Sequence, residues 1–269
     1  MSHVFLPTKN YTTFFSSAKE KDIWVPGGTM KLAIDQPNYI PWKGYFDLIH
    51  DVDLFIFYND VQYTVRDWRN RNKIITPHGE KWLSIPCGSK RNRLICDVVM
   101  WDNAWQKEHY ETLRFAYGKA PFWNMYREFI EDVYLGTTWE YLYELDQYMT
   151  RVIAEEFLGI KTKFADSRDF QTVGRKHERL LSLVEVVNAD IYESGLAARD
   201  YMIIPDYTER GIEVRWKSYE GYPEYPQMSD SFNHNVSILD LLFNVGPDAP
   251  YYIWGWREET GAMSYEVAK

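Results

Sequence analysis

The 269-residue chain is 45% hydrophobic and 26% charged, an ordinary globular balance with length for one large domain or two small ones. Its net charge of −9 argues against broad nucleic-acid binding, and no apolar run approaches the roughly 18–20 residues of a membrane span. Two cysteines, Cys87 and Cys96, are too few for a disulfide scaffold and lack metal spacing, which points to a reducing, cytoplasmic setting.

Residues 1–29 fit no element and are expected to form a flexible extension ahead of an α/β domain over 30–250, with a tail over 251–269. Lys31–Asp35 reads as a short strand ended by Pro37. Asn38 to Gly44, preceded by Pro37 and containing Pro41 and Gly44, is a shaped loop, and Tyr45, Leu48 and Ile49 give the following helix its apolar face. Val52–Tyr58 is a near-continuous apolar run, as in a strand buried on both faces. Two such strands joined by a helix form a right-handed parallel unit whose ligands sit at the strand carboxyl ends, where Gln36 and Asp60 lie. Gln62–Val65, Lys73–Ile75 and Trp82–Ile85 read as further β-structure around a Pro77-His78-Gly79 turn. Trp105, His109, Leu113 and Ala116 mark one helix, and Met125, Phe129 and Val133 the next. A Thr137/Glu140 capping pattern precedes a third helix carrying Leu142, Leu145, Met149 and Val152. Strand and helix then alternate through Thr162–Ala165, Leu180–Val187, Asp190–Tyr192 and Ile212–Trp216, and Ser237 caps a final helix. The fold expected is α/β, a mostly parallel sheet of Rossmann-like units with a helical insert around residues 104–158.

Local charge runs against the global trend. Residues 60–95 hold eight basic and three acidic side chains, +5 inside a −9 chain. Arginine binds phosphate and carboxylate through a planar fork of donors. Arg66, Arg69 and Arg71, interleaved with Trp68, Asn70 and Asn72, suit a clamp for a diphosphate beside a stacked ring. A solvated hairpin face with alternating charge accounts for the same residues. Asp60, just past a buried strand, is a candidate general base if burial raises its pKa. His109, on an apolar stripe, is a second candidate, although such a histidine is more often a satisfied core residue. The six histidines form no ligand-spaced pair, and GxGxxG, GxxxxGK[ST] and GxSxG are all absent. Cys87 lies beside Lys90 and Arg91 but has no evident partner base.

Gln36-Pro37-Asn38-Tyr39-Ile40-Pro41-Trp42-Lys43-Gly44-Tyr45-Phe46-Asp47 closely resembles the opening motif of the WbqC-like family found among bacterial O-antigen and surface-polysaccharide genes. Asn59-Asp60-Val61-Gln62-Tyr63 and Trp68–Asn72 resemble its next block, and His109 with Tyr117 its middle block. Tyr192-Glu193-Ser194-Gly195, Tyr225-Pro226-Gln227 and Ser237–Asn244 resemble its closing blocks. Asn59 stands where a second aspartate is expected, which weakens a paired-carboxylate mechanism. The resemblance implies transfer of a glycyl or other acyl group to the amine of a nucleotide-linked amino sugar, with no tightly bound cofactor and no metal. The acyl group would come from an activated donor such as a thioester carrier. It implies Asp60 and His109 as catalytic groups. The substrate would be held by Gln36, Tyr39, Trp42, Tyr45, Gln62, Arg66, Trp68, Arg69, Asn70, Arg71, Asn72, Ser194, Gln227 and Asp240. Two other readings are a nucleotidylyl-transferase-like enzyme and a carbohydrate-binding protein without turnover.

Overall fold

The computed structural model describes residues 28–229 and 231–268, so the expected extension lies outside the described residues up to position 27. The first unit is β1 (Lys31–Asp35), α1 (Lys43–His50) and β2 (Leu54–Phe57), with β1 and β2 parallel in the register Leu32↔Leu54 to Asp35↔Phe57. Then come β3 (Arg71–Thr76) and β4 (Gly79–Ser84), an antiparallel hairpin outside the main sheet. The helical insert is α2 (Ala104–Tyr117), α3 (Trp123–Glu131) and α4 (Leu142–Val152). β5 (Lys163–Asp166), α5 (His177–Val186), β6 (Ile191–Ser194), α6 (Ile204–Thr208) and β7 (Glu213–Lys217) follow, and α7 (Ile238–Val245) comes after them.

The main sheet has six strands in the order β5-β2-β1-β6-β7-β8, where β8 is Tyr265–Val267, all parallel except the last. Its expected mixed α/β, mostly parallel character is therefore realised. Alternation assigns the faces. Ala33, Phe55 and Phe57 join the core formed with α1, the helical insert and α7. Leu32, Ile34, Leu54 and Ile56 join the second core, beneath α5 and α6. Both faces of these strands are dry, which is why their sequences read as apolar runs rather than as alternation. The chain leaves β1 toward β2 and returns on the other side to β6, so the topological switch point lies between Asp35 and Ser194.

Three expected boundaries differ. Gln62–Val65 is not a strand: it meets residues 93–95 only through an isolated Gln62↔Leu94 bridge, then bends at Arg66, whose φ is +59°. The Thr137/Glu140 pattern does not start α4. The Met100 N–H donates to the Glu140 carbonyl and the Leu142 N–H to the Val98 carbonyl, which holds Tyr141 between them extended, so the helix begins at Leu142. Residues past 250 do not trail away as a tail. α8 (Trp256–Thr260) packs with Trp256 buried, and β8 (Tyr265–Val267) pairs antiparallel with β7.

Buried charge ties this end of the chain to α1. Arg257 makes a bidentate pair with Asp47 at 2.6 and 2.7 Å, Lys217 lies 3.1 Å from Asp47 and also pairs with Asp51, and the Tyr222 hydroxyl donates to Asp47 at 2.6 Å. Glu193, on the same face of β6, lies 3.9 Å from Lys217, too far for a direct hydrogen bond. Burial pushes its carboxyl up to about 7, against an attraction to Lys217 that pulls the other way. Between the ordinary glutamate range and pH 7 the native state thus keeps a proton that the unfolded chain releases, and stability from this group is lost as pH rises through that window. Glu193→Gln should therefore raise the unfolding midpoint at pH 8 and leave it nearly unchanged at pH 4.5. An equal effect at both pH values in thermal melts would contradict this account.

Candidate functional site

The loop after β1 is shaped by Arg69. Its Nε donates to Gln36 Oε1 at 2.7 Å and its Nη1 to Asn38 Oδ1 at 3.2 Å, with Asp67 at 3.6 Å behind it. Tyr39 N–H donates to the Trp68 carbonyl at 2.9 Å, and Asn72 Nδ2 donates to the carbonyls of Tyr39 and Ile40. Residues 36–40 are thus held against residues 68–72, which places Trp42 and Trp68 around a cavity of about 300 Å³. Pro41, Asn38, Asn72 and Asn235 complete its lining. Two indoles with side-chain amides between them suit a sugar ring, whose C–H face stacks on aromatics and whose hydroxyls need amide partners.

Trp42 takes its position because residue 44 is glycine. A Cβ on Gly44 would stand 2.2 Å from the Trp42 indole, so the ring folds back over the first turn of α1. There it meets Tyr219 at 5.2 Å and Tyr222 at 6.2 Å between ring centroids. The Tyr219 hydroxyl would in turn lie 3.6 Å from a Cβ on Gly195. Trp42 therefore joins the cavity to the switch point.

At that switch point sits Asp35, half-buried at the end of β1. Burial raises its pKa, opposed by the Arg69 charge and by the 2.7 Å hydrogen bond from Gln36 N–H. The same burial raises Asp146, which is fully buried and whose carboxylate oxygens have no hydrogen-bond partner among the described residues. Arg69 is the cation acting on both. Lys43 occupies an aromatic cage, with Nζ 4.8 Å from the Tyr222 ring centroid, 5.3 Å from Tyr225 and 5.9 Å from Phe232. Desolvation lowers its pKa to about 7, against the attraction of Asp47 and Asp240.

The residues singled out in the sequence divide into groups. Gln36, Trp42, Trp68, Arg69 and Asn72 gather at the cavity or its rim, and Ser194 ends β6 at the switch point. Gln62 and Arg66 line a different cavity. Arg71 lays its guanidinium 4.5 Å over Trp82, and buried Asn70 donates to the Ile85 carbonyl at 2.8 Å. Tyr45 is buried and donates to the Gln36 carbonyl at 3.0 Å. Asp240 accepts from Tyr117, Tyr225 and Gln227, each at 2.8 Å. Gln227 also holds Asn233, whose Oδ1 accepts from Asn235 N–H at 2.7 Å, so this network fixes the Asn235 wall of the cavity.

Asp60 and His109 lie elsewhere. Asp60 accepts from Ser167 Oγ at 2.7 Å and is ion-paired with Arg179, beside β5. His109 is buried among Tyr39, Trp105 and Tyr134, with Nδ1 2.8 Å from the Tyr39 hydroxyl, and desolvation lowers its pKa to about 4. Neither residue lines the tryptophan cavity. Asp35, Asn38, Lys43, Asp146 and Asn235 were not among the expected site residues. Asp146 had a signal: it falls on the apolar stripe of α4 between Leu142, Leu145 and Met149.

The mostly parallel six-stranded sheet, flanked by helices and carrying an aromatic, amide-lined cavity on the loop after β1, defines an α/β protein with a candidate ligand cavity. The WbqC-like protein family model matches residues 36–252, and the chain belongs to that family. It is 41% identical over 225 residues to the uncharacterized protein Rv1507c of Mycobacterium tuberculosis (strain ATCC 25618 / H37Rv), an alignment covering 83% of this chain and 97% of the relative. No solved structure matches it. No helix among the described residues is long and apolar enough to cross a membrane.

Gly44→Ala forces the indole off the helix. It should destabilise the protein by roughly 1–3 kcal/mol, as overpacking does. A variant stabilised in thermal unfolding, as an ordinary helical Gly→Ala would be, would show that Trp42 does not occupy this position.

Proposed function

We propose that the protein is a transferase that places an acyl group, aminoacyl or similar, on the amine of a nucleotide-linked amino sugar. The observation carrying this reading is the Trp42–Trp68 cavity with its asparagine lining, built on the loop that begins where the half-buried Asp35 ends β1. The sugar ring lies between the indoles, with its amine toward Asp35. An amino sugar is mostly an ammonium ion at neutral pH and cannot attack until it loses a proton. A carboxylate whose pKa has been raised is a better base for that proton than an exposed one. Asp35 takes it, the freed amine adds to the carbonyl carbon of a thioester or comparable donor, and the C–N bond forms. The C–S bond then breaks as the adduct nitrogen gives its second proton to the departing thiolate, leaving the amide and a free thiol, and Asp35 releases the proton it took to solvent. Arg69, fixed by Gln36 and Asn38, keeps Asp35 ionised enough to act.

Binding is tested by calorimetry with UDP-glucosamine. Replacing Trp42 and Trp68 together by Ala should weaken it by roughly tenfold or more, given about 0.5–1.5 kcal/mol per aromatic contact. Affinity unchanged in the double variant would remove the sugar from this cavity.

The chemical step separates an enzyme from a carbohydrate-binding protein without turnover. Asp35→Asn should abolish acyl transfer while leaving the unfolding midpoint equal or higher, because a buried carboxylate with a raised pKa costs stability at neutral pH. In the wild type, kcat/KM should fall as pH is lowered through that raised pKa, the direction required when a base becomes protonated. Transfer that survives Asp35→Asn would dismiss Asp35 as the base.

A further inference from the structure

The basic excess of residues 60–95 does not gather at the tryptophan cavity. Among the described residues, neither Arg66 nor Arg91 makes an ion pair or a side-chain hydrogen bond, in a chain of net charge −9. Both arginines line a second cavity of about 490 Å³, with Gln62, Tyr63, Thr64, Val65 and Ser89. The floor is built: Tyr63 is 1% exposed, and the Arg93 guanidinium lies 4.8 Å over its ring, tied to the Cys87 carbonyl. Arg93 Nε is buried without a hydrogen-bond partner among the described residues.

Arg66 is also strained. Its φ of +59° is a left-handed conformation that is unfavourable for a non-glycine residue. Strain of this kind persists where surrounding structure enforces it, often at binding sites. Arg69 and Arg71 each have a stated occupation, on Gln36 and Asn38 for one and on Trp82 for the other. Arg66 and Arg91 have none, and unpaired arginines beside hydroxyl and amide groups are a phosphate-binding set.

We propose that this second cavity is a phosphate subsite, in which Arg66 and Arg91 hold a phosphate ester or diphosphate with Gln62, Thr64 and Ser89 as further donors. Arg66 and Trp68 stand two residues apart on one loop, and each lines one of the two cavities. The proposal rests on the transferase reading only for the source of the phosphate. That source is either the diphosphate of the nucleotide-linked sugar or the phosphate-bearing arm of a thioester carrier.

Inorganic pyrophosphate, which contains no sugar, tests the subsite alone by calorimetry on the full chain. It should bind the wild type and bind the Arg66→Ala/Arg91→Ala variant at least tenfold more weakly, with Trp42→Ala unaffected. Arg66→Gly provides a second check free of folding defects: relief of the left-handed strain should raise the unfolding midpoint while pyrophosphate affinity falls. Competition then identifies the source. Displacement of pyrophosphate by UDP-glucosamine assigns the sugar nucleotide, and displacement by coenzyme A assigns the donor. Absence of pyrophosphate binding, equal binding to the double variant, or displacement by neither compound (an adventitious anion site only) would overturn the proposal. None of these results bears on the tryptophan cavity, whose test uses different residues.

Discussion

Much of the site depends on the Arg69 guanidinium. It bridges two segments separated by more than thirty residues, Gln36–Asn38 after β1 and the 67–72 turn before β3. Without it, the loop that carries Trp42 would be tied to the turn that carries Trp68 only through the Tyr39 N–H and the Asn72 amide. The same charge opposes the desolvation of Asp35 and Asp146, two carboxyls buried where water gives little help. A lysine could supply the charge but not the fork, because its point-like ammonium does not match two acceptors held at a fixed angle. The cavity's shape and the electrostatics beside it thus rest on one side chain.

Sheet topology supplies the rest. β1 lies between β2 and β6, and the two crossovers diverge from it, so the chain cannot close over the carboxyl end of β1. The hairpin β3–β4 and the loop leading to α7 wall that opening instead. Asp240, itself buried, is stabilised by three donors and holds the far wall through Gln227 and Asn233. A polar network of this completeness specifies one geometry, since each member left unpaired would be costly.

The parallel unit was legible because Leu32–Ile34 and Leu54–Phe57 are buried on both faces, which leaves an apolar run in the sequence. The hairpin was legible from its turn residues. The fate of the arginines was not. Spacings of three and five between Arg66, Arg69 and Arg71 suggest one face, but a left-handed residue at 66 and a turn closed by the Asn70 N–H to Asp67 carbonyl bond send the three side chains to different places. Asp35 read as the end of a strand, and only the long-range return of β6 makes that end a switch point. Gln227 and Asp240 sit close in sequence, yet their service to the cavity runs through Asn233 and Asn235, a relation no local pattern encodes. His109 carried the motif's resemblance, and its surroundings in the fold are those of a core histidine.

The acids of α1 also constrain when the molecule can form. Asp47 and Asp51 are synthesised early, while Lys217 and Arg257, the cations that neutralise them, lie 166 to 210 residues further along the chain. Burying α1 on the sheet before those cations arrive would place carboxylates in an apolar layer with no counter-charge, a cost of several kcal/mol per ion. Burial of α1 as a charged face is therefore energetically coupled to the docking of β7 and α8, which carry those cations. Contacts of such sequence separation slow folding. Here they also make α1 and the strand that carries Lys217 one cooperative unit, joined through buried charge rather than through sequence.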